Sequence, residues 1–318
     1  MIETMSKLKY IDLFAGTGAF SQVLNETNKY ECVFANDMVK NSEKMYNLNH
    51  DHSMTLGDLN NIEVDDIPSH DLLCGGFPCQ PFSIAGEQKG FDDKRSNVFW
   101  KIIEILEKHM PRIIILENVK NLKSHDKGNT YKVIKDKLET VGYKIKDCIL
   151  DTSKVTHLPQ HRERIYIIGF LDTAAFDKFE FDFPDIDNIK IHELLDDAIV
   201  DKYYYSDRYK VFPVIKETIT KNIYTSNTLY QYRRYYVREN KSNCCPTLTA
   251  NMGGGGHNVP LLLDNVGIRK LTPRECFNLQ GFPLDYKLPE ISDSGLYQLA
   301  GNAVSIPVVR LIVSRLLE

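Results

Sequence analysis

The sequence predicts an α/β protein: a mainly parallel sheet with helices on both faces, joined to a smaller domain made mostly of strands and loops. Three observations carry that expectation. From residue 8 to 171, short apolar runs alternate with segments of helical periodicity. Most of those runs stop at an acid or a glycine turn, where open parallel sheets bind their ligands. After about Phe176 the periodicity fades into tyrosine clusters, short β-type runs and the glycine run Gly253–Gly256.

In chain order, Leu8–Phe14 is an apolar strand that runs into Ala15-Gly16-Thr17-Gly18, and helical spacing follows from Ala19 to about Asn25. Cys32–Ala35 is a second strand, ending at Asn36-Asp37, with a helix through Leu48. Met54–Leu56 ends at Gly57-Asp58, and Asp71–Cys74 ends at Gly75-Gly76. Asn97–His109 reads as helix, Arg112–Leu116 as a strongly apolar strand ending at Glu117-Asn118, Asn129–Val141 as helix and Ile165–Phe170 as strand. Residues 1–175, completed by 286–318, form the expected large domain, and 176–285 the small one. Thr272-Pro273-Arg274-Glu275 carries a helix-start signature: a capping Thr, a Pro in the first turn and a Glu at the third position. An apolar helix over about Ile306–Leu317 is the last expected element.

Composition narrows the class. No apolar run reaches the roughly 20 residues of a membrane span, and Met1–Lys7 lacks the apolar stretch of a signal peptide. A cytoplasmic location is expected. The seven cysteines are odd in number and show no C-x-x-C spacing, which speaks against a disulfide or zinc framework. No metal is expected. The net charge of −4 hides an asymmetry. Residues 172–201 hold ten acids and two bases, whereas 202–241 hold nine bases and three acids amid many tyrosines. Bases interleaved with aromatics suit nucleic acid; a solvated face is the plainer alternative.

At the cofactor end, Asp12–Gly18 joins a strand to a helix through a tight glycine turn that lets the backbone approach a ligand. Ser21 stands where a dinucleotide-binding turn has its third glycine, which disfavours a pyrophosphate. Asp37, at the end of the second strand, is placed for ribose hydroxyls, and Asp58, at the end of the third, for an exocyclic amine. One ribose acceptor, one amine acceptor and no phosphate cradle suit S-adenosyl-L-methionine, with S-adenosyl-L-homocysteine as product. The alternative is that each Asp caps the helix that follows it.

Cys79 is flanked by prolines in Phe77-Pro78-Cys79-Gln80-Pro81. The prolines stiffen a loop at a strand end, unlike the settings of Cys32, Cys74, Cys148 and Cys276, which read as core. A thiolate is a strong nucleophile where nearby positive charge lowers its pKa, and Arg162 and Arg164 are candidates to supply it. Glu117, ending an apolar strand, is a candidate acid.

These residues resemble the cytosine-C5-specific DNA methyltransferase family, of the bacterial or phage restriction-modification type. The resemblance rests on Asp12–Phe20, Pro78-Cys79-Gln80, Glu117-Asn118-Val119 and Gln160-x-Arg162-x-Arg164. It continues through Arg269–Cys276, Gln280-Gly281-Phe282-Pro283 and Ala300–Val304, in family order along nearly the whole chain. It implies an S-adenosylmethionine-dependent (Rossmann-like) methyltransferase fold with a target-recognition domain. It also implies a reaction in which Cys79 attacks C6 of a flipped-out cytosine, Glu117 holds N3 and N4, Arg164 contacts the O2 side and Arg162 supports the pocket. By the same resemblance Phe14, Ala15, Gly16, Thr17, Gly18, Asp37, Met38, Asp58, Leu59 and Pro78 line the cofactor pocket, closed by Asn302 and Ala303. Ala19 in place of a second glycine and Met38 in place of the usual adenine-packing residue are mild departures.

Double-stranded DNA is the implied partner of a monomer, with a cognate restriction endonuclease acting separately. Ser83, in the expected lid Ser83–Arg95, together with Gln231, Arg233, Arg234, Arg238, Thr249, Asn251, Gly254 and Gly255, is expected to touch it. Arginine pairs with guanine and glutamine with adenine in such contacts. The stretches Tyr230–Arg238 and Thr247–Pro260 also resemble enzymes that recognise GGNCC-type sites. Three alternatives stand beside this reading: an RNA (tRNA) cytosine-C5 methyltransferase, a non-catalytic DNA-binding regulator on the same fold, and a thiol-dependent enzyme on a small substrate.

Overall fold

The computed structural model describes residues 6–78, 98–207, 212–221, 228–233, 236–240, 243–254 and 258–318. Cys79, Arg234, Gly255 and the whole of the expected lid Ser83–Arg95 lie outside the described residues. The chain divides into two compact units, one of residues 1–150, 163–183 and 309–318, the other of 151–162 and 184–308.

The first unit is built on a seven-stranded sheet in the order β3-β2-β1-β4-β5-β7-β6. Its strands are β1 (Leu8–Leu13), β2 (Tyr30–Asp37), β3 (Thr55–Leu56), β4 (Leu72–Gly76), β5 (Ile113–Val119), β6 (Lys144–Asp151) and β7 (Glu163–Phe170). Interleaved with them are α1 (Ala19–Glu26), α2 (Lys40–Asn49), α3 (Val98–His109), α4 (Asn129–Val141) and the short α5 (Thr152–Val155). A further short helix, α6 (Thr173–Lys178), follows β7. Strands β3, β2, β1, β4 and β5 run parallel, and β7 returns antiparallel to β5. The central strands are apolar because both faces are covered. Ile11, Leu13, Leu73, Ile114, Leu116 and Ile167 are buried together with Phe99, Ile102 and Leu106 of α3 and Ile134 and Leu138 of α4.

The second unit holds α7 (Phe212–Lys221), a four-stranded antiparallel sheet, and α8 (Pro273–Asn278) and α9 (Asp293–Asn302). The sheet runs β11-β10-β8-β9, from β8 (Tyr230–Arg233), β9 (Tyr236–Glu239), β10 (Leu261–Leu263) and β11 (Ile268–Lys270). Its small core gathers Ile215, Tyr230, Val237, Leu261 and Ile268, so Tyr230 is packing, while Tyr236 is 58% exposed. The expected helix start is present: Thr272 Oγ1 accepts from Glu275 N at 3.1 Å, and Glu275 Oε2 accepts from Thr272 N at 2.7 Å. Glu275 is fully buried because Arg269 pairs with both its oxygens at 2.8 Å. The apolar stretch 293–317 comprises α9 and α10 (Ile306–Leu317), and it is two-thirds buried within the fold.

Candidate active site

Register sets the cofactor end. Leu13 pairs with Asn36, and Asn36 with Thr55, so the carboxyl ends of β1, β2 and β3 lie side by side. The Asn36 amide staples them, donating to the carbonyls of Thr55 (2.9 Å) and Gly57 (3.0 Å). From this row the chain turns sharply. Phe14, Gly16 and Gly18 all adopt left-handed backbone, at φ of 56°, 55° and 75°. For Phe14 that conformation costs energy, of the kind stored where a backbone must face a ligand. Asp37 ties the turn to β2, its Oδ2 accepting from Gly16 N at 3.0 Å and its Oδ1 from Val39 N at 2.8 Å. Burial pushes this carboxyl up from the usual range, against those hydrogen bonds.

Asp58 is exposed and caps the turn Leu59–Asn61, accepting from Asn60 N at 3.0 Å. The capping alternative therefore holds for Asp58, which nonetheless stays exposed. Met38 is 69% exposed, Phe14 half-buried and Leu59 buried. Apolar surface, an exposed carboxylate and a left-handed turn thus meet at one set of strand ends. Beneath them lies Asp12, fully buried, whose Oδ2 accepts from Ser21 N (3.3 Å) and Ser21 Oγ (2.8 Å). Burial raises its pKa to about 7.

The next two strand ends carry the acid. Gly76 of β4 pairs with Glu117 of β5, and Glu117 in turn with Tyr166 of β7. Arg164 lies two residues along β7 from Tyr166, on the same face as Glu117. Its Nε donates to Glu117 Oε1 at 3.0 Å, with the two side chains only 15% and 10% exposed. Arg164 is held from behind by the Glu163 carbonyl at 2.9 Å. The approach to the Cys79 loop is fixed beside this pair. Gly75 packs so close to Leu13 that a Cβ would stand 2.6 Å from the Leu13 carbonyl oxygen. Phe77 is buried, and its carbonyl accepts from Asn118 Nδ2 at 3.0 Å. Pro78 is exposed at the last described position before Cys79. Sequence reasoning gave Asn118 no separate role. The signal was its place next to the acid, where a buried amide needs a partner.

Arg162 is the other arginine of the motif. It belongs to the second unit, 2% exposed, and donates to the carbonyls of Leu248 (2.9 Å), Gly301 (3.2 Å) and Ala303 (2.6 Å). It clamps the Leu248 segment to the end of α9. Asn302, exposed, and Ala303, buried, also fall in the second unit.

Of the expected DNA contacts, Gln231, Arg233, Arg238, Thr249 and Asn251 line one cavity of about 440 Å³ in the second unit. Gly254 is exposed next to them in sequence. His161, unassigned from sequence, also lines the cavity, with its Nδ1 held by Asp151 Oδ2 at 2.9 Å and Ser153 Oγ at 3.1 Å.

A sequence model of the C-5 cytosine-specific DNA methylases matches residues 8–318. The chain belongs to that family. It is 45% identical over 313 residues to the type II methyltransferase M.Bsp6I of Bacillus sp. (strain RFL6), covering 97% of this chain and 98% of that one. It is 38% identical to M.HaeII of Haemophilus aegyptius, covering 99% and 94%, and 35% identical to M.HhaI of Haemophilus parahaemolyticus, covering 98% and 96%. The fold matches the Schizosaccharomyces pombe Dnmt2 methyltransferase with a TM-score of 0.75 at 21% identity, over 98% of each chain. It also matches a putative DNA modification methyltransferase encoded within an E. coli prophage, with a TM-score of 0.69 at 19% identity over 98% and 99%. The protein is therefore a DNA (cytosine-5-)-methyltransferase of the type II restriction-modification kind, on the mostly parallel methyltransferase sheet. Its family implies S-adenosylmethionine as methyl donor. The strand-end residues fit that group: apolar surface at Phe14 and Met38 for adenine, and acceptors at Asp37 and Asp58 for hydroxyl and amine. Among the described residues no cluster of His, Cys, Asp or Glu is arranged to hold a metal ion.

Proposed function

We propose that this methylase acts through a transient covalent bond between Cys79 and C6 of a cytosine swung out of a specific double-stranded DNA sequence, and that the mark protects that sequence from a cognate endonuclease. The observation that carries the reading is the largely buried Glu117–Arg164 ion pair, next to the anchored root of the Cys79 loop. Cytosine C5 is a weak nucleophile until a group adds at C6. In the proposed course the Cys79 thiolate forms the C6–S bond while Glu117, aligned by Arg164, hydrogen-bonds N3 and N4 and stabilises the charge that moves onto the ring. S-adenosylmethionine supplies the electrophilic methyl group that C5 accepts. A base then removes the C5 proton, the C6–S bond breaks and the thiolate is restored. The reactive atoms are closed off inside a duplex, which is the reason for base flipping.

The role of Phe14, Met38, Asp37 and Asp58 in holding the donor follows from their shared strand-end position, and that of the second unit in reading DNA from its arginine-lined cavity. The test is transfer of labelled methyl from S-adenosylmethionine to duplex DNA and, separately, to tRNA. The proposal expects transfer to duplex DNA, with Glu117→Gln reducing it by roughly a hundredfold or more. Transfer to tRNA alone, or full activity in the Gln variant, would overturn it.

A further inference from the structure

We infer that Gln231 does not read a base itself: it is a positioning residue that aims Arg233 and Arg238 as a matched pair at the acceptor edge of guanine. The inference rests on the proposed role of the second unit as DNA reader. Gln231 and Arg238 are directly paired across β8 and β9, and Arg233 lies two residues on from Gln231, so all three project from one face of the hairpin. The guanidinium of Arg233 donates to Gln231 Oε1 at 3.0 Å, and that of Arg238 donates to the same oxygen at 2.9 Å. A carbonyl oxygen has two lone pairs, and both are taken. Reading adenine would require this oxygen to accept from the N6 amine while the amide nitrogen donates to N7. The first half of that contact is blocked. Turning the amide over does not release it, because its NH₂ would then face two guanidinium donors.

The same geometry says what the pocket takes. The two donating nitrogens lie within about 6 Å of each other, and neither arginine pairs with a carboxylate among the described residues. Two like charges held on one neutral oxygen favour a ligand rich in acceptors. Beside His161 and Pro246, the rest of the cavity is lined by the hydroxyls and amides of Thr247, Thr249, Asn240, Asn251 and Asn258, with no acid in its lining. Guanine offers N7 and O6 to such forks. A phosphate shares the acceptor chemistry, but it needs only charge, not a carbonyl that fixes the plane of each fork.

The experiment is methylation of a duplex library with randomised positions around cytosine, read by conversion sequencing at several salt concentrations. The wild-type protein is expected to demand guanine at one or more positions. Gln231→Leu and Arg238→Ala should relax the same guanine position by roughly ten- to a hundredfold in discrimination. As a check that needs no variant, replacing that guanine with 7-deazaguanine should lower wild-type methylation there. If Gln231→Leu relaxes an adenine position instead, or 7-deazaguanine is tolerated fully, the inference fails. If Arg233→Ala and Arg238→Ala slow all sequences alike and flatten the salt dependence, the pair holds phosphate and the inference also fails. An absence of methylation by the wild-type protein anywhere in the library would instead count against duplex DNA as the substrate.

Discussion

Replacing Gly301 with alanine puts a methyl group where the second unit has no room for one. A Cβ built there stands 2.1 Å from the carbonyl carbon of Thr249, 2.3 Å from its oxygen and 2.4 Å from Ala250 N. Ordinary contact begins at about 3.4 Å, so the backbone of Thr249–Ala250 must retreat by more than about 1 Å. That backbone is not free to move. Arg162 holds Leu248 on one side and Gly301 and Ala303 on the other. Forced overpacking costs about 1–3 kcal/mol, and loosening a buried charged hydrogen bond adds about 1–3 kcal/mol. Alanine recovers about 1 kcal/mol of helix propensity within α9. The net loss is about 3 kcal/mol, a fall in unfolding temperature of roughly 4–5 °C for a chain of this size. Calorimetry of Gly301→Ala against the wild type measures it, with Gly57→Ala as control, because a Cβ at Gly57 meets nothing within 4 Å. An unfolding temperature for Gly301→Ala equal to or above wild type would refute the close approach.

Asn118→Ala removes the donor to the buried Phe77 carbonyl, so stability should fall by about 1–3 kcal/mol in urea unfolding. If the bond anchors the Cys79 loop, kcat should fall more than KM rises. Asp12 gives a pH dependence. Its carboxyl ionises near 3.8 when unfolded and at about 7 when folded, so the folded state binds the extra proton between those values. Stability from this group is therefore complete below about pH 4 and lost as pH rises towards 7. Asp12→Asn should remove that decline, amounting to roughly 4 kcal/mol at most, in denaturant titrations at pH 4.5 and 8; parallel pH curves for the two proteins would contradict it. Arg269→Ala leaves Glu275 buried and unpaired, so chemical unfolding should register a loss of about 3–5 kcal/mol.

Much of the catalytic unit was legible because its rules are local. The apolar runs at Leu8–Leu13 and Ile113–Leu116 have only one way to be buried in a parallel sheet, and acids or glycines follow them where ligands bind. Glu117 and Arg164 were both expected in the site, but their ion pair depends on antiparallel register between β5 and β7, which no local pattern encodes. Strand β6 escaped notice because Lys144-Ile145-Lys146-Asp147 alternates charge with apolar residues at the sheet margin, a pattern shared with loops. Helix α9 was hidden by Gly295 and Gly301, poor helix formers; at Gly301 the close approach of Thr249 requires the missing side chain. Arg162 and Arg164 differ most in outcome. Two residues apart in one motif, they serve a backbone clamp and a carboxylate partner, a division set by long-range packing.

The nucleophile itself is tested most directly by trapping. Duplex DNA carrying 5-fluorocytosine in place of cytosine has no C5 proton to lose, so an enzyme bonded at C6 cannot leave after methyl transfer. Incubated with S-adenosylmethionine and run on a denaturing gel, the wild-type protein should migrate as a covalent DNA complex, and Cys79→Ser should yield none. A Ser variant that still traps DNA, or a wild-type protein that methylates ordinary DNA yet never traps the fluorinated duplex, would contradict the covalent mechanism.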